Sequence, residues 1–251
     1  MRKLRFMNDL KKIQWKDPLV VILCGLLVFL TIGSFFSGCG SRSQKSGIKV
    51  VIDAAKGNAW EGEVNEADAT AAVKDELVSR LESDGRFIVY DAGSGSVADR
   101  VNEINKDNVD VVLSIRADGS PDQTKSGTYA YAQLPETKTH DASLKLAQDV
   151  ISSFDEDKRT AQAGYLYFEE LKDDVYNPVF VEAGQDTSDY DGKDTLELLE
   201  KCEVPAVSVN VLYVSNEDDV KTYGNEDGYS TLAKNLYRAL CEYYSLGGKE
   251  S

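Results

Sequence analysis

The sequence predicts a single α/β domain with a mainly parallel central sheet flanked by helices, preceded by one N-terminal transmembrane helix. Short apolar runs alternate with amphipathic segments at helical spacing between residues 48 and 246. No charged residue occurs between positions 18 and 41, and about 20 apolar residues suffice to cross a bilayer. The expected organisation is a basic cytoplasmic tail (1–17), a transmembrane signal anchor (18–40), a linker (41–47) and the domain (48–246).

The sequence of the first half of the domain predicts two strand–helix alternations followed by two further strands. The apolar run at 49–53 predicts a strand, and the spacing of Ala, Val and Leu after it predicts a helix that ends at Gly85. A second strand follows, and Ser96 is placed to cap the next helix. The continuous β-branched run after that helix is typical of a central strand. The predicted ranges are helix 67–83, strand 87–90, helix 96–106, strand 109–115 and strand 127–134.

The second half of the domain adds a helix, an inserted hairpin, a buried strand and a closing amphipathic helix. The hairpin is rich in aromatic residues, which are frequent in strands. The strand that follows it, "VPAVSVNVLYV", is apolar enough to be buried on both faces. The predicted ranges are helix 141–154, hairpin 163–184, strand 204–214 and helix 228–246.

The N-terminal charge pattern predicts the side of the membrane on which the domain lies. Residues 1–46 hold eight Lys or Arg and two Asp or Glu, mostly ahead of the apolar run. By the positive-inside rule, the N-terminus stays cytoplasmic and the domain lies on the extracellular side of the cell membrane. Two alternatives remain open, namely a cleaved secretory signal and a lipoprotein anchored at Cys39, which follows Ser-Gly. The lipid anchor would also leave the domain on the outer face.

Charge and cysteine usage exclude some classes of partner and site. The rest of the chain holds 20 basic and 41 acidic residues, a net charge of −21. A surface this acidic is repelled by nucleic acid, which we therefore exclude as a partner. The absence of a CxxC pair argues against a structural zinc site. A Cys202–Cys241 disulfide remains open for a domain in an oxidising exterior.

Four features stand in order along the domain, namely "DAAKGN" at 53–58, Glu66 at a helix start, "SIRAD" at 114–118 and "PAVSVNVLYVSNEDD" at 205–219. Together they resemble the zinc-dependent N-acetylmuramoyl-L-alanine amidases, which are cell-wall hydrolases, over roughly residues 48–245. The family's "DAGHGG" corresponds to "DAAKGN" at 53–58, and its helix-starting glutamate corresponds to Glu66. The family's "SIHAN" corresponds to "SIRAD" at 114–118. Its late "PAVLVEIGFLSNxxD" corresponds to "PAVSVNVLYVSNEDD" at 205–219. The resemblance implies an amidase-like fold and a role in peptidoglycan metabolism.

The resemblance also implies which positions formed the family's zinc site. Two histidines and a glutamate hold the zinc, and a second glutamate acts with the metal-bound water. The corresponding residues are Lys56, Glu66, Arg116 and Asn210, so only Glu66 is retained. A protonated arginine cannot coordinate a metal, and asparagine cannot act as a general base. Because the chain has one histidine, His140, which we expect at the surface, we predict no zinc cofactor and assign no catalytic residue with the family's role.

Two other arrangements of this edge remain open. Asp53, Glu66 and Asp118 would form an oxygen-rich site suited to Ca²⁺ or Mg²⁺ if they converged. Alternatively, Lys56 and Arg116 would converge on Glu66 and replace the dication with two fixed positive charges. An arrangement in which both cationic side chains point into water is equally compatible with the sequence.

These residues favour a domain without catalytic activity that binds peptidoglycan or a wall-remodelling protein. Candidate binding residues are Asp53 and Asp118 at strand ends and Tyr165 and Tyr167 in the hairpin, whose rings offer stacking surface. The tyrosines fit equally well as strand residues that cover the sheet. An active amidase with rearranged metal ligands and a purely structural ectodomain are the alternatives.

Overall fold

One seven-stranded sheet organises the domain in the computed structural model, which describes residues 47–55, 62, 64–155, 160–172 and 175–247. The strands are β1 (Ile48–Ala54), β2 (Phe87–Asp91), β3 (Val111–Asp118), β4 (Thr128–Ala132), β5 (Ala161–Lys172), β6 (Val175–Glu182) and β7 (Ala206–Tyr213). The helices are α1 (Glu66–Asp84), α2 (Val97–Lys106), α3 (His140–Asp155), α4 (Glu197–Lys201), α5 (Glu217–Tyr223) and α6 (Glu226–Tyr243). A short 3₁₀ helix spans Ser188–Tyr190.

The sheet is mixed, which refines the expectation of a mainly parallel one. Its strand order is β2-β1-β3-β7-β4-β5-β6. β1 pairs in parallel with β2 and β3, β3 with β7, and β4 with β5. β4 runs antiparallel to β7, and β5 and β6 form an antiparallel pair at one edge. The predicted aromatic hairpin is therefore confirmed, as two strands added to the edge of the sheet.

Both faces of the sheet are covered by helices. On the first face, α1, α3 and α6 bury apolar side chains such as Leu77, Leu146 and Leu236 against alternate residues of the strands. On the second face, α2 and α4 form a smaller core that includes Ile104 and Leu199. Burial on both faces explains why the central strands have continuous rather than alternating apolar sequences.

The two cysteines of the domain do not form a disulfide. Cys202 and Cys241 are both free and buried, in the second-face and first-face cores respectively. The disulfide left open by the sequence is therefore not formed, because the sheet separates the two thiols.

The start of α1 carries Glu66 to the edge of the sheet where β1 and β3 end. The Asn65 side chain accepts hydrogen bonds from the backbone N–H groups of Ala67 and Asp68, which caps the helix. The helix ends at Gly85, whose φ of +76° is a left-handed conformation that glycine adopts without strain. Capping at Asn65 thus fixes Glu66 in the first turn, beside the loop after β3.

A bulge in β7 shapes the same edge. Arg116 pairs with Asn210, but Asp118 pairs with Tyr213, so β7 has one residue more than β3 in this interval. The consecutive residues Val211 and Leu212 both join the first-face core. The side chains of the flanking residues, Asn210 and Tyr213, therefore lie on the second face.

The predicted signal anchor at 18–40 lies outside the described residues. Among the helices of the described ranges, none is long and apolar enough to cross a membrane.

Candidate functional site

Three of the four positions singled out from the sequence meet at one edge of the sheet, together with Asp118. We call Glu66, Arg116, Asp118 and Asn210 the strand-end cluster. Arg116 and Asn210 are register neighbours on β3 and β7. Glu66 Oε1 accepts a hydrogen bond of 2.7 Å from the Gly119 backbone N–H, directly after β3. The fourth position, Lys56, lies outside the described residues.

Arg116 is held by Asp118. Its Nε and Nη2 donate hydrogen bonds of 3.1 and 2.8 Å to Asp118 Oδ1. Burial tends to lower the pKa of the Arg116 guanidinium, but the Asp118 carboxylate and the nearby charge of Glu66 raise it overall. The sequence left open an arrangement in which Arg116 and Lys56 converge on Glu66. The hydrogen bonds of Arg116 go to Asp118 instead, because residues two apart in a strand project from the same face.

Asn210 is fully buried between Asp118 and two tyrosines. Its Oδ1 accepts a 2.9 Å hydrogen bond from the Asp118 backbone N–H, whereas its Nδ2 has no hydrogen-bond partner among the described residues. Burial and then the Asp118 carboxylate raise the pKa of both Tyr131 and Tyr213. Both phenols are therefore neutral at physiological pH.

Asp53 does not join the cluster. Its carboxylate is 2 % exposed on the second face, where Oδ1 lies 2.9 Å from Arg100 Nε. Oδ2 accepts a 2.7 Å hydrogen bond from the Ser114 hydroxyl. The oxygen-rich arrangement of Asp53, Glu66 and Asp118 is therefore not formed. Asp53 faces α2, whereas Glu66 comes from α1 on the other side of the sheet.

A cavity of about 490 Å³ opens beside this ion pair, and we call it the α2 cavity. It lies between the ends of β1 and β3, the start of α2 and the start of α4. Its polar lining includes Asp53, Arg100, Ser114, Arg116, Glu197 and Ser208. Arg116 thus belongs to both the strand-end cluster and the cavity wall.

The hairpin tyrosines and His140 have a packing role. Tyr165 and Tyr167 are 4 and 3 % exposed in the first-face core, which leaves little ring surface for a ligand. His140 stacks on Tyr165, and its Nε2 lies 2.9 Å from the phenol oxygen. The expectation of an ordinary surface histidine was wrong, because His140 at the start of α3 packs against the hairpin. The structure favours the interpretation of these tyrosines as residues that cover the sheet.

Sequence reasoning missed two structural residues of this region. Arg100 belongs to the buried side of α2, between Val97 and Ile104, and a charge on an otherwise apolar helix face was the available signal. Asp219 ends the "SNEDD" segment and accepts hydrogen bonds from the backbone N–H groups of Tyr213 and Gly127. The motif thus ties the end of β7 to the loop before β4.

The comparison with protein families agrees with this architecture. A family model described as N-acetylmuramoyl-L-alanine amidase (Amidase_3) matches residues 50–242, which include the whole strand-end cluster. The chain belongs to this amidase family. None of the curated proteins matches the chain in sequence.

Solved amidase structures share the fold of this family member. An N-acetylmuramoyl-L-alanine amidase from Clostridium difficile 630 has 18 % identity and a TM-score of 0.61, over 81 % of this chain and 100 % of that one. The catalytic domain of CwlV from Bacillus (Paenibacillus) polymyxa var. colistinus has 21 % identity and a TM-score of 0.60, over 80 % and 99 %. CwlD from Clostridioides difficile, solved in complex with the GerS lipoprotein, has 17 % identity and a TM-score of 0.58, over 79 % and 99 %. Because the match covers 99 to 100 % of each of these three chains, we expect residues 47–251 to fold without the N-terminal segment.

The zinc of the amidase family does not fit the described side chains. Glu66 keeps a ligand atom, but the neighbouring family position holds the protonated guanidinium of Arg116, paired with Asp118. Among the described residues, no group of three or more His, Cys, Asp or Glu side chains is arranged to hold a metal ion. We therefore derive no catalytic step through zinc.

Proposed function

We propose that this amidase-family chain is a membrane-tethered extracellular domain that binds peptidoglycan or a wall-remodelling protein and does not hydrolyse the wall. The observation that carries the proposal is the strand-end cluster. There, an ion pair between Arg116 and Asp118 and a buried amide, Asn210, occupy the positions at which the family holds zinc and its catalytic glutamate. This arrangement offers neither a Lewis acid nor a general base for activating water.

The proposed location rests on the sequence. The uncharged segment at 18–40, with basic residues ahead of it, supports a single-pass anchor with the domain outside the cell membrane. A lipid anchor at Cys39 is the alternative. In both cases the acidic domain would meet the wall from the membrane side.

A protein partner is supported by one relative. CwlD was solved in complex with the GerS lipoprotein, so a related domain is known to assemble with another protein. The charge of −21 on residues 47–251 also favours a protein over an anionic wall polymer as the main partner.

Purified residues 47–251 allow a direct test with three measurements, namely bound zinc, retention on insoluble peptidoglycan, and release of stem peptides. We expect zinc well below one ion per chain, retention on peptidoglycan and no peptide release. A matched variant, Lys56→His/Arg116→His/Asn210→Glu, restores the family residues and serves as the control for zinc uptake.

The competing functions give different results in the same assay. Stoichiometric zinc with peptide release from the unmodified domain would contradict the proposal and support an active amidase with rearranged ligands. A domain that shows no bound zinc and no retention would contradict wall binding and support a structural ectodomain of a membrane complex.

A further inference from the structure

The α2 cavity has the size and lining of a small-molecule site. Its volume of about 490 Å³ lies within the range of about 300–1,000 Å³ that is typical of ligand pockets. Residues of β1, β3 and β7 form its floor, and the starts of α2 and α4 with the loop before α2 form its walls. A ligand there would contact side chains fixed by the sheet.

A hydroxyl in the floor of the cavity makes no hydrogen bond to the residues that the structure describes. Ser208 is 2 % exposed, and within the described part of the chain its hydroxyl makes no hydrogen bond. It is the register neighbour of Ser114, whose hydroxyl donates to Asp53 on the second face. The hydroxyl is therefore available to the cavity, where an acceptor atom of a ligand would give it a hydrogen bond.

Two further donors lie on the cavity wall. Arg116 donates from Nε and Nη2 to Asp118, and its Nη1 has no hydrogen bond among the described residues. At the start of α2, the Ser96 and Asp99 capping box satisfies the N–H groups of those two residues but not that of Val97, the first helical residue. A helix N-terminus also favours a negative ligand through its dipole.

The acidic residues of the cavity limit the charge of its ligand. Asp53 is neutralised by Arg100, and Glu197 is paired with Lys201 at 2.8 Å. Asp99, in the first turn of α2, adds a negative charge close by. A dianion such as phosphate would be repelled by these carboxylates, whereas a single carboxylate matches the free donors without adding a second charge.

We propose that the α2 cavity binds the C-terminal carboxylate of a short peptide, accepted by Arg116, Ser208 and the first turn of α2. This inference rests on the proposed function, because the peptide stems of peptidoglycan supply such carboxylates. It assigns the recognition of wall material to the second face of the sheet, beside the strand-end cluster.

NMR titration of residues 47–251 tests the ligand chemistry with three probes. These are N-acetyl-D-alanyl-D-alanine, the same dipeptide with an amidated C-terminus, and inorganic phosphate. We expect the free acid to shift the Val97 and Ala98 amide signals, the amide to bind at least about tenfold more weakly, and phosphate to bind more weakly than the acid. Equal binding of acid and amide, tighter binding of phosphate, or no binding by the acid would overturn the proposal.

Two variants locate the binding, and a third controls for charge. Ser208→Ala removes a hydroxyl that has no partner, so we expect an unchanged melting temperature and about fivefold weaker binding of the acid. Arg116→Gln should weaken binding at least about tenfold. Arg80→Gln removes one positive charge from α1, where Arg80 donates to Ser230 outside the cavity, and should bind as the unmodified domain does. Wild-type affinity in the Ser208→Ala variant would refute the assignment of the site.

The same variants separate this inference from the proposed function. If both Ser208→Ala and Arg116→Gln are still retained on peptidoglycan, the cavity is not the site that binds the wall, although the domain does bind it. Binding of the dipeptide acid without retention on peptidoglycan would keep the cavity as a carboxylate site and contradict wall binding.

Discussion

Replacing Arg100 with methionine should destabilise the domain severely, because it removes the only charged partner of a buried carboxylate that the described structure provides. Asp53 Oδ1 lies 2.9 Å from Arg100 Nε, and the remaining oxygen keeps one 2.7 Å hydrogen bond from Ser114. Arg100 also donates a 3.0 Å hydrogen bond to the Gly95 carbonyl, which the variant loses. Breaking one side of a buried ion pair typically costs about 3–5 kcal/mol. That is a large part of the roughly 5–15 kcal/mol that stabilises a typical domain.

Urea unfolding of residues 47–251, followed by far-ultraviolet circular dichroism, measures this cost. Arg80→Met is the matched control, since its partly exposed guanidinium should contribute no more than about 1 kcal/mol. The double variant Asp53→Asn/Arg100→Met should recover more than half of the loss, because an amide leaves no charge stranded in the core. A loss below about 1 kcal/mol for Arg100→Met, or no recovery in the double variant, would refute the reasoning.

Three further experiments, two with variants and one on the reactivity of a buried thiol, test other parts of the fold. The hydrogen bonds from Arg86, together with the one from Tyr237, hold the pKa of the buried Asp84 below its usual value. The ionised Asp84 therefore contributes to the free energy of unfolding above about pH 4, and this contribution is lost as the pH falls further. Between about pH 5 and pH 2, urea titrations should show that the free energy of unfolding of the unmodified domain falls by about 2 kcal/mol more than that of Asp84→Asn. Burial raises the pKa of the Cys202 thiol to about 12, so this thiol should react with Ellman's reagent at pH 8 only after denaturation, and fast reaction of the folded domain would contradict its burial. Asn216→Ala removes the cap of α5 and should lower the melting temperature by about 2–4 °C in calorimetry, whereas an unchanged value would show that the cap contributes nothing.

Most of the strands and long helices were predictable because their signals are local. Each buried strand is a short run of apolar residues, and Ser96, predicted as an N-cap, caps the start of α2 in the structure. The two short helices, α4 and α5, span five and seven residues, too few for helical periodicity to be visible. The direction of β4 against β7 was also hidden, since antiparallel and parallel neighbours can have equally apolar sequences.

The candidate site was predictable only in part, for a geometric reason. Glu66, Arg116 and Asn210 were expected together, and they meet because the ends of neighbouring parallel strands share one edge of the sheet. Asp53 was grouped with them because it also ends a strand. Its side chain lies on the same face as Arg116 but pairs in register with Ser114, two residues earlier on β3, where its partner is Arg100 from α2. How far along the sheet a strand-end residue lies depends on register, and the register of β1 becomes visible only in the sheet.

The substitutions in the strand-end cluster are consistent with one another, which supports their being a stable arrangement without zinc. Arg116 brings one positive charge to the edge, and Asp118 already takes two of its hydrogen bonds. A glutamate at position 210 would place a further carboxylate at a fully buried position next to that single cation. Asn210 accepts the Asp118 N–H hydrogen bond without adding a charge. In the proposed arrangement without zinc, Arg116 on β3 and Asn210 on β7 are therefore compatible with each other, since no dication would offset a buried acid at position 210.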